Sequence, residues 1–155
     1  TPLVEHPLVS KISFTGSDAT GRLINEKAAR LLKHTAMELG GKSPNIVFAD
    51  ADLEQAVFGA ISGIFAASGQ TCIAGSRLLV QDSIHDAFVE KLLAVASTAR
   101  MGDPMDPATQ VGPVTTPPQY QKVLEYIDIA KSEGAQVVLG GGKGDAPACG
   151  DGWFV

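Results

Sequence analysis

The 155-residue chain alternates short apolar-rich stretches with longer segments of helical apolar spacing. Lys11–Thr15 alternates polar and apolar residues up to Gly16, which predicts a strand with one buried face. A helix over about Ala19–Leu32 follows, with Leu23, Ile24, Ala28, Leu31 and Leu32 at helical spacing and Ser17 or Asp18 as N-cap. His34–Met37 reads as a short strand running into Gly40-Gly41, and Asn45–Phe48 as a fully buried strand. Asp50 or Asp52 caps a third segment, with Gln55 in capping-box position. Leu53, Ala56, Val57, Ala60, Ile61, Ile64 and Phe65 give that helix a regular apolar face, so deep burial and an end at Ser68-Gly69 are expected.

Arg77–Val80 is the next expected strand, and Ser83 the expected cap of a helix over about Ile84–Thr98. Met101–Thr115 holds three of the nine prolines and no period, which predicts a surface loop. Thr116-Pro117 opens the last helix, with Gln119 closing a capping box, Tyr120, Val123, Leu124 and Ile127 facing inward, and Gly134 as the stop. Gln136–Leu139 is predicted as a final strand, Gly140–Gly152 as a mobile loop, and Trp153-Phe154-Val155 as the start of a further strand. Strands alternating with helices define an α/β fold with a largely parallel sheet flanked by helices.

Composition narrows the function classes. An apolar fraction of 45% with 19% charged residues is that of a globular chain. A net charge of −5 without a basic cluster argues against nucleic acid and against anionic membrane. The longest apolar run, Ala56–Ala67, is too short to span a bilayer, and Thr1–Lys11 lacks a signal-peptide core. Two cysteines and three scattered histidines show neither a disulfide framework nor zinc spacing, so no metal is expected and a reducing, cytoplasmic compartment is. Neither end reads as a natural terminus, so a fragment of a longer protein is expected.

Three stretches carry candidate chemistry. Phe14-Thr15-Gly16-Ser17-Asp18-Ala19-Thr20-Gly21 lies between a strand and a helix, where unpaired N–H groups and a glycine admit a phosphate. Its Gly-x-x-x-x-Gly spacing is neither the dinucleotide fingerprint nor a Walker loop, and alone it favours a plain strand-to-helix turn. Glu38, between Met37 and Leu39, would be partly desolvated and so tuned toward a general base, although these residues alone favour a surface glutamate paired with Lys42. Cys72 sits between Gly69 and Gly75 in Gly-Gln-Thr-Cys-Ile-Ala-Gly-Ser-Arg; from this stretch alone a buried structural cysteine and a nucleophile stay equally open. The preceding helix turns its negative end toward it, so other groups must favour a thiolate.

In combination the motifs are more specific. Phe-Thr-Gly-Ser…Gly, Glu-Leu-Gly-Gly-Lys-Ser-Pro and Gly-Gln-Thr-Cys-Ile-Ala-Gly-Ser-Arg, in that order, resemble the NAD(P)-dependent aldehyde dehydrogenase family. The similarity continues through Asn45–Asp52, Gly102-Asp103-Pro104 and Val111-Gly112-Pro113. The resemblance implies an aldehyde dehydrogenase-like catalytic domain over 39–155, preceded over 1–38 by the end of an NAD(P)-binding Rossmann-like domain. It implies Cys72 as the nucleophile that forms a thiohemiacetal and then a thioester, with its N–H as half of an oxyanion hole. Glu38 is then the base for hydrolysis, and Gly16, Ser17, Gly21 and Leu39 contact the NAD or NADP cofactor; Gln119 and Lys122 match adenosine-ribose positions more loosely. The implied substrate is a small-molecule aldehyde, and the implied parent enzyme is a dimeric or tetrameric homo-oligomer. The family's full chain is roughly three times this length, so the 155 residues alone are expected to be inactive. A coenzyme A-acylating relative is disfavoured by the presence of Glu38, and a non-catalytic fragment with the same fold is the alternative of a different class. Cys149, His6, His34 and His85 match no functional position.

Overall fold

In the computed structural model, which describes Pro2–Val155, the chain forms two compact units that divide between Lys42 and Ser43. The first unit contains α1 (Pro2–Glu5), β1 (Lys11–Thr15), α2 (Asp18–Arg30) and β2 (His34–Glu38). β1 and β2 pair in parallel, Lys11 opposite His34 through Thr15 opposite Glu38. A parallel pair cannot be joined by a tight turn, so α2 is the crossover. Its start is local chemistry: Ser17 is the N-cap in extended conformation, and its Oγ accepts from Thr20 N–H at 3.3 Å. Fully buried Ala28 and the buried Val4 mark the apolar centre of this unit.

The second unit repeats the plan. β3 (Pro44–Val47) pairs in parallel with β4 (Arg77–Val80), and α3 (Leu53–Phe65) crosses between them. Asp52 caps α3 by accepting from Gln55 N–H at 3.0 Å, which settles the choice between Asp50 and Asp52. α4 (His85–Ala96) packs beside α3, and α5 (Pro117–Ser132) follows after a loop in which Met101 and Val111 form an isolated parallel bridge. The core joins Val47, Val57, Ala60 and Phe88, ringed by Leu53, Ala56, Ile61, Leu78, Val80, Ile84, Leu92 and Val95.

The α/β class and the parallel pairing stand, but as two separate two-stranded sheets. Several local expectations are corrected. The Asn45–Phe48 strand is buried on one face only: Val47 joins the core, while Ile46 and its partner Leu79 share an open face and Phe48 is 63% exposed. α3 is half-buried rather than deeply buried: Val57 and Ala60 join the core with Val47 and Phe88, while Phe58 and Phe65 are 48% and 43% exposed. Ser83 is not a cap. It lies inside a 3-10 turn, Asp82–Ile84, closed by Ile84 N–H to Gln81 O, and α4 starts only at His85.

Thr116 has the extended N-cap conformation but makes no side-chain cap bond, and no capping box forms with Gln119. The second proline, Pro118, removes one of the two N–H groups such a cap bonds. Gln136–Leu139 forms no strand, and its Val137, Val138 and Leu139 are 45–58% exposed. An extended segment becomes a strand only where another supplies its ladder bonds, and none among the described residues does so here. Trp153–Val155 likewise forms no strand, although Phe154 is buried and Trp153 O accepts from Val114 N–H. Gly140–Gly152 contains a short 3-10 turn, Pro147–Cys149, and buries Cys149.

Phe88 is the largest side chain with no exposure, whereas Ile46 lies on the open sheet face. Phe88→Ala is therefore expected to lower stability by about 3–5 kcal/mol, and Ile46→Ala by less than about 1 kcal/mol. Guanidinium denaturation midpoints of the two variants check the contrast, and equal shifts would contradict the assigned core.

Candidate active site

Parallel pairing brings two of the three motifs together within the first unit. The register sets Thr15 beside Glu38, so the turn after β1 and the carboxylate at the end of β2 lie at the same, C-terminal end of the pair. Gly16 N–H donates to Glu38 O at 3.0 Å, fixing the two backbones to each other. Leu39, the next residue, packs on buried Gly21: a Cβ there would lie 2.6 Å from Leu39 Cδ2. A Cβ on Gly16 would lie 2.5 Å from Phe14 Cζ, so neither glycine has room for a side chain without displacement of a neighbour. Carboxyl ends of parallel strands are where open α/β sheets bind ligands.

The turn fits the phosphate end of a dinucleotide in two respects. Gly16 and Ser17 are exposed, and α2 presents first-turn N–H groups of which Ser17 Oγ occupies only that of Thr20. Asp18 in the same turn adds an opposing negative charge. Glu38 itself is exposed, which agrees with the surface glutamate that its neighbours favour and not with partial desolvation: strand alternation turns half-buried Met37 toward one face of the pair and Glu38 to the other.

Cys72 lies in the second unit, on the connection from α3 to β4, as an exposed free thiol. α3 stops at Phe65, earlier than the sequence suggests, and Ala67, Ser68 and Gly69 follow with φ of 51°, 54° and 71°. Thr71 O accepts from Ala74 N–H, closing a turn around the thiol, and Gly75 N–H donates to Gly63 O at 3.1 Å to hold the far side of the loop. Ala74 is buried, whereas Ile73 is 81% exposed, so the base of the loop is anchored and its tip is open. Among the described residues, Cys72 N–H has no hydrogen-bond acceptor and points to no internal partner.

Two side chains to which the sequence reading gave no role shape this loop. Ser68 Oγ donates to Gly112 O at 3.0 Å, and Gln70 Oε1 accepts from Thr115 N–H at 2.9 Å. Gln70 stands inside the cysteine motif, but nothing local signals a partner 45 residues away. Gln119 and Lys122 are exposed on α5; Lys122 donates to Glu125 at 2.6 Å, and that carboxylate holds the ammonium pKa above its ordinary value. Among the described residues no group of three His, Cys, Asp or Glu side chains could hold a metal, and no helix is long and apolar enough to cross a membrane.

Fold and site define a class: a chain of parallel β-α-β units carrying an open loop thiol and a carboxylate at a strand end. Residues 1–155 match the aldehyde dehydrogenase family, and the chain belongs to that family. A betaine aldehyde dehydrogenase of Mesorhizobium japonicum is 47% identical over 153 residues, 99% of this chain and 31% of the relative. A double mutant of betaine aldehyde dehydrogenase from Staphylococcus aureus, solved in complex with NAD+, is 42% identical with a TM-score of 0.94, covering 99% of this chain and 30% of that one. PnpE from Pseudomonas sp. WBC-3 is 50% identical with a TM-score of 0.95, covering 99% and 31%. The chain thus spans about 30% of the length of such relatives.

The two thiols differ sharply in access, Cys72 being exposed and Cys149 only 5% exposed. Titration of the native chain with a thiol-specific disulfide reagent is expected to label one cysteine quickly, and peptide mapping to place it at Cys72. The second thiol should react only after unfolding. Rapid native labelling of Cys149 would contradict the described burial.

Proposed function

We propose that this chain is a central part of an aldehyde dehydrogenase that oxidises an aldehyde to a carboxylic acid, with Cys72 as nucleophile and Glu38 as the base for hydrolysis. On this reading the first unit ends the cofactor-binding part of the enzyme and the second begins its catalytic part. The observation that carries the proposal is the Cys72 loop: an exposed thiol on an anchored base, with its own N–H unpaired.

The Cys72 thiolate adds to the carbonyl carbon, and the oxygen that gains charge is held by Cys72 N–H, a donor with no competing acceptor. NAD(P)+, when bound, supplies the hydride acceptor for this chemistry. The exposed turn at Gly16 and Ser17, with the first-turn N–H groups of α2, would hold its diphosphate, and Leu39, packed on Gly21, would border it. The acyl group then rests on Cys72 as a thioester. Glu38 takes a proton from water, the hydroxide adds to the acyl carbon, and the carbon–sulfur bond breaks to release the acid and the thiolate. A carboxylate at position 38 favours this hydrolysis over transfer to coenzyme A. Free thiols at both cysteines suit a reducing compartment such as the cytoplasm.

The test uses the full-length protein that contains this chain, with betaine aldehyde and NAD+ as first substrates because betaine aldehyde dehydrogenases are among its relatives. Cys72→Ala is expected to abolish NAD+ reduction. Glu38→Gln should preserve acylation while slowing deacylation by roughly 100-fold or more, the scale of a lost general base, with the acyl adduct visible on Cys72 by intact-mass measurement. Steady-state turnover equal to that of the unsubstituted enzyme, with no adduct, would overturn the role of Glu38.

A separate expectation concerns the 155 residues in isolation. With about 30% of the length of its relatives, the chain should reduce no NAD+ with any aldehyde tested. Robust turnover by the isolated chain would show that its own residues suffice.

A further inference from the structure

We infer that Ser68 and Gln70 are positioning residues that clamp the cysteine loop to the segment Val111–Thr115 and thereby set where the Cys72 thiol stands. The inference rests on Cys72 being the nucleophile and goes beyond it by assigning what holds that nucleophile in place.

The segment before Cys72 needs holding. Ala67 and Ser68 both occupy the left-handed region, with φ of 51° and 54°, and neither is the glycine or asparagine that tolerates it. A turn built from such residues persists only where its surroundings over-determine it. Two side chains flanking Gly69 do so. Ser68 is half-buried and its Oγ donates to Gly112 O at 3.0 Å. Gln70 spans the turn, its Nε2 donating to Ala67 O at 3.3 Å and its Oε1 accepting from Thr115 N–H at 2.9 Å.

The segment they grip is itself fixed. Val111 exchanges backbone bonds with Arg100 and Gly102, its N–H donating to Arg100 O and its carbonyl accepting from Gly102 N–H. Val114 is 8% exposed and its N–H donates to Trp153 O at 2.8 Å. The anchor is therefore an ordered strip, and its hydrogen bonds to the cysteine loop run to residues two and four positions before Cys72. Removing Ser68 Oγ or the Gln70 amide leaves the thiol and its exposure intact but frees the turn that carries it. A small displacement of a reacting group is enough to slow chemistry without weakening binding.

The experiment compares the full-length protein with its Ser68→Ala, Gln70→Met and doubly substituted variants. Hydrogen exchange followed by mass spectrometry reads peptides covering 66–75, and steady-state kinetics use betaine aldehyde with NAD+. Exchange over 66–75 is expected to accelerate about tenfold in the double variant, the scale of lost hydrogen bonds. kcat should fall about tenfold or more while KM stays within about twofold, as for an interaction that matters after binding. Alkylation of Cys72 by iodoacetamide should stay within about twofold of the unsubstituted rate, because an exposed thiol reacts without help from its position. Unchanged exchange overturns the clamp. Faster exchange with unchanged kcat overturns its positioning role, as does a kcat loss matched by an equal rise in KM. Failure of the parent reading is separately visible, as turnover that survives Cys72→Ala.

Discussion

Parallel pairing is the constraint from which the placement of the candidate groups follows. Neither β1–β2 nor β3–β4 can be closed by a hairpin, so the first strand of each pair is followed by a helix that crosses the pair and returns. In the first unit this collects the Gly16 turn and Glu38 at one end, although 22 positions of chain separate them in sequence. The register also decides which side chain is offered there. A slip of one residue would turn Met37 to the open face and Glu38 toward the helix, because successive strand residues face opposite ways. The 3.0 Å bond from Gly16 N–H to Glu38 O and the seating of Leu39 on Gly21 both depend on that register.

What was legible in the sequence is what local chemistry decides. Lys11–Thr15 and Arg77–Val80 are strands over the expected spans, and Ser17 and Asp52 cap their helices as side-chain acceptors three residues before the bonded N–H. The family was legible because the motifs that carry the resemblance are contiguous, and the family they resemble is the one the chain belongs to. What failed depends on partners. Asn45–Phe48 carries three apolar residues in succession, yet one face stays open because burial is settled by what packs on a sheet and not by the strand. Gln136–Leu139 has strand-like residues without a ladder neighbour. Thr116 takes the extended N-cap conformation without a side-chain cap bond, and Pro118 leaves it only one of the two usual donors, Gln119 N–H. Partial desolvation of Glu38 by Met37 and Leu39 fails for the same reason, since neighbours along a strand point to the opposite face, and the surface reading of this glutamate holds.

The cysteine loop was the least legible feature, because its geometry runs against its residue types. A left-handed residue other than glycine costs about 1–2 kcal/mol, and the loop uses two in succession. Against that stand the bonds of Ser68 with Gly112, Gln70 with Thr115 and Ala67, and Gly75 with Gly63. Each such bond is worth a net of about 0.5–1.5 kcal/mol, so cost and compensation are of the same size. Neither alone specifies the conformation. The turn without its clamps would relax toward ordinary backbone, and the clamps without the turn would have no reason to converge from residues 44 and 45 positions away. Stability by itself would favour glycine at 67 and 68, at the expense of a looser chain ahead of the thiol. Retaining two side-chain-bearing residues there, strained but gripped, keeps the approach to Cys72 stiff while leaving the thiol itself open, a combination with value for a nucleophile and none for a core residue.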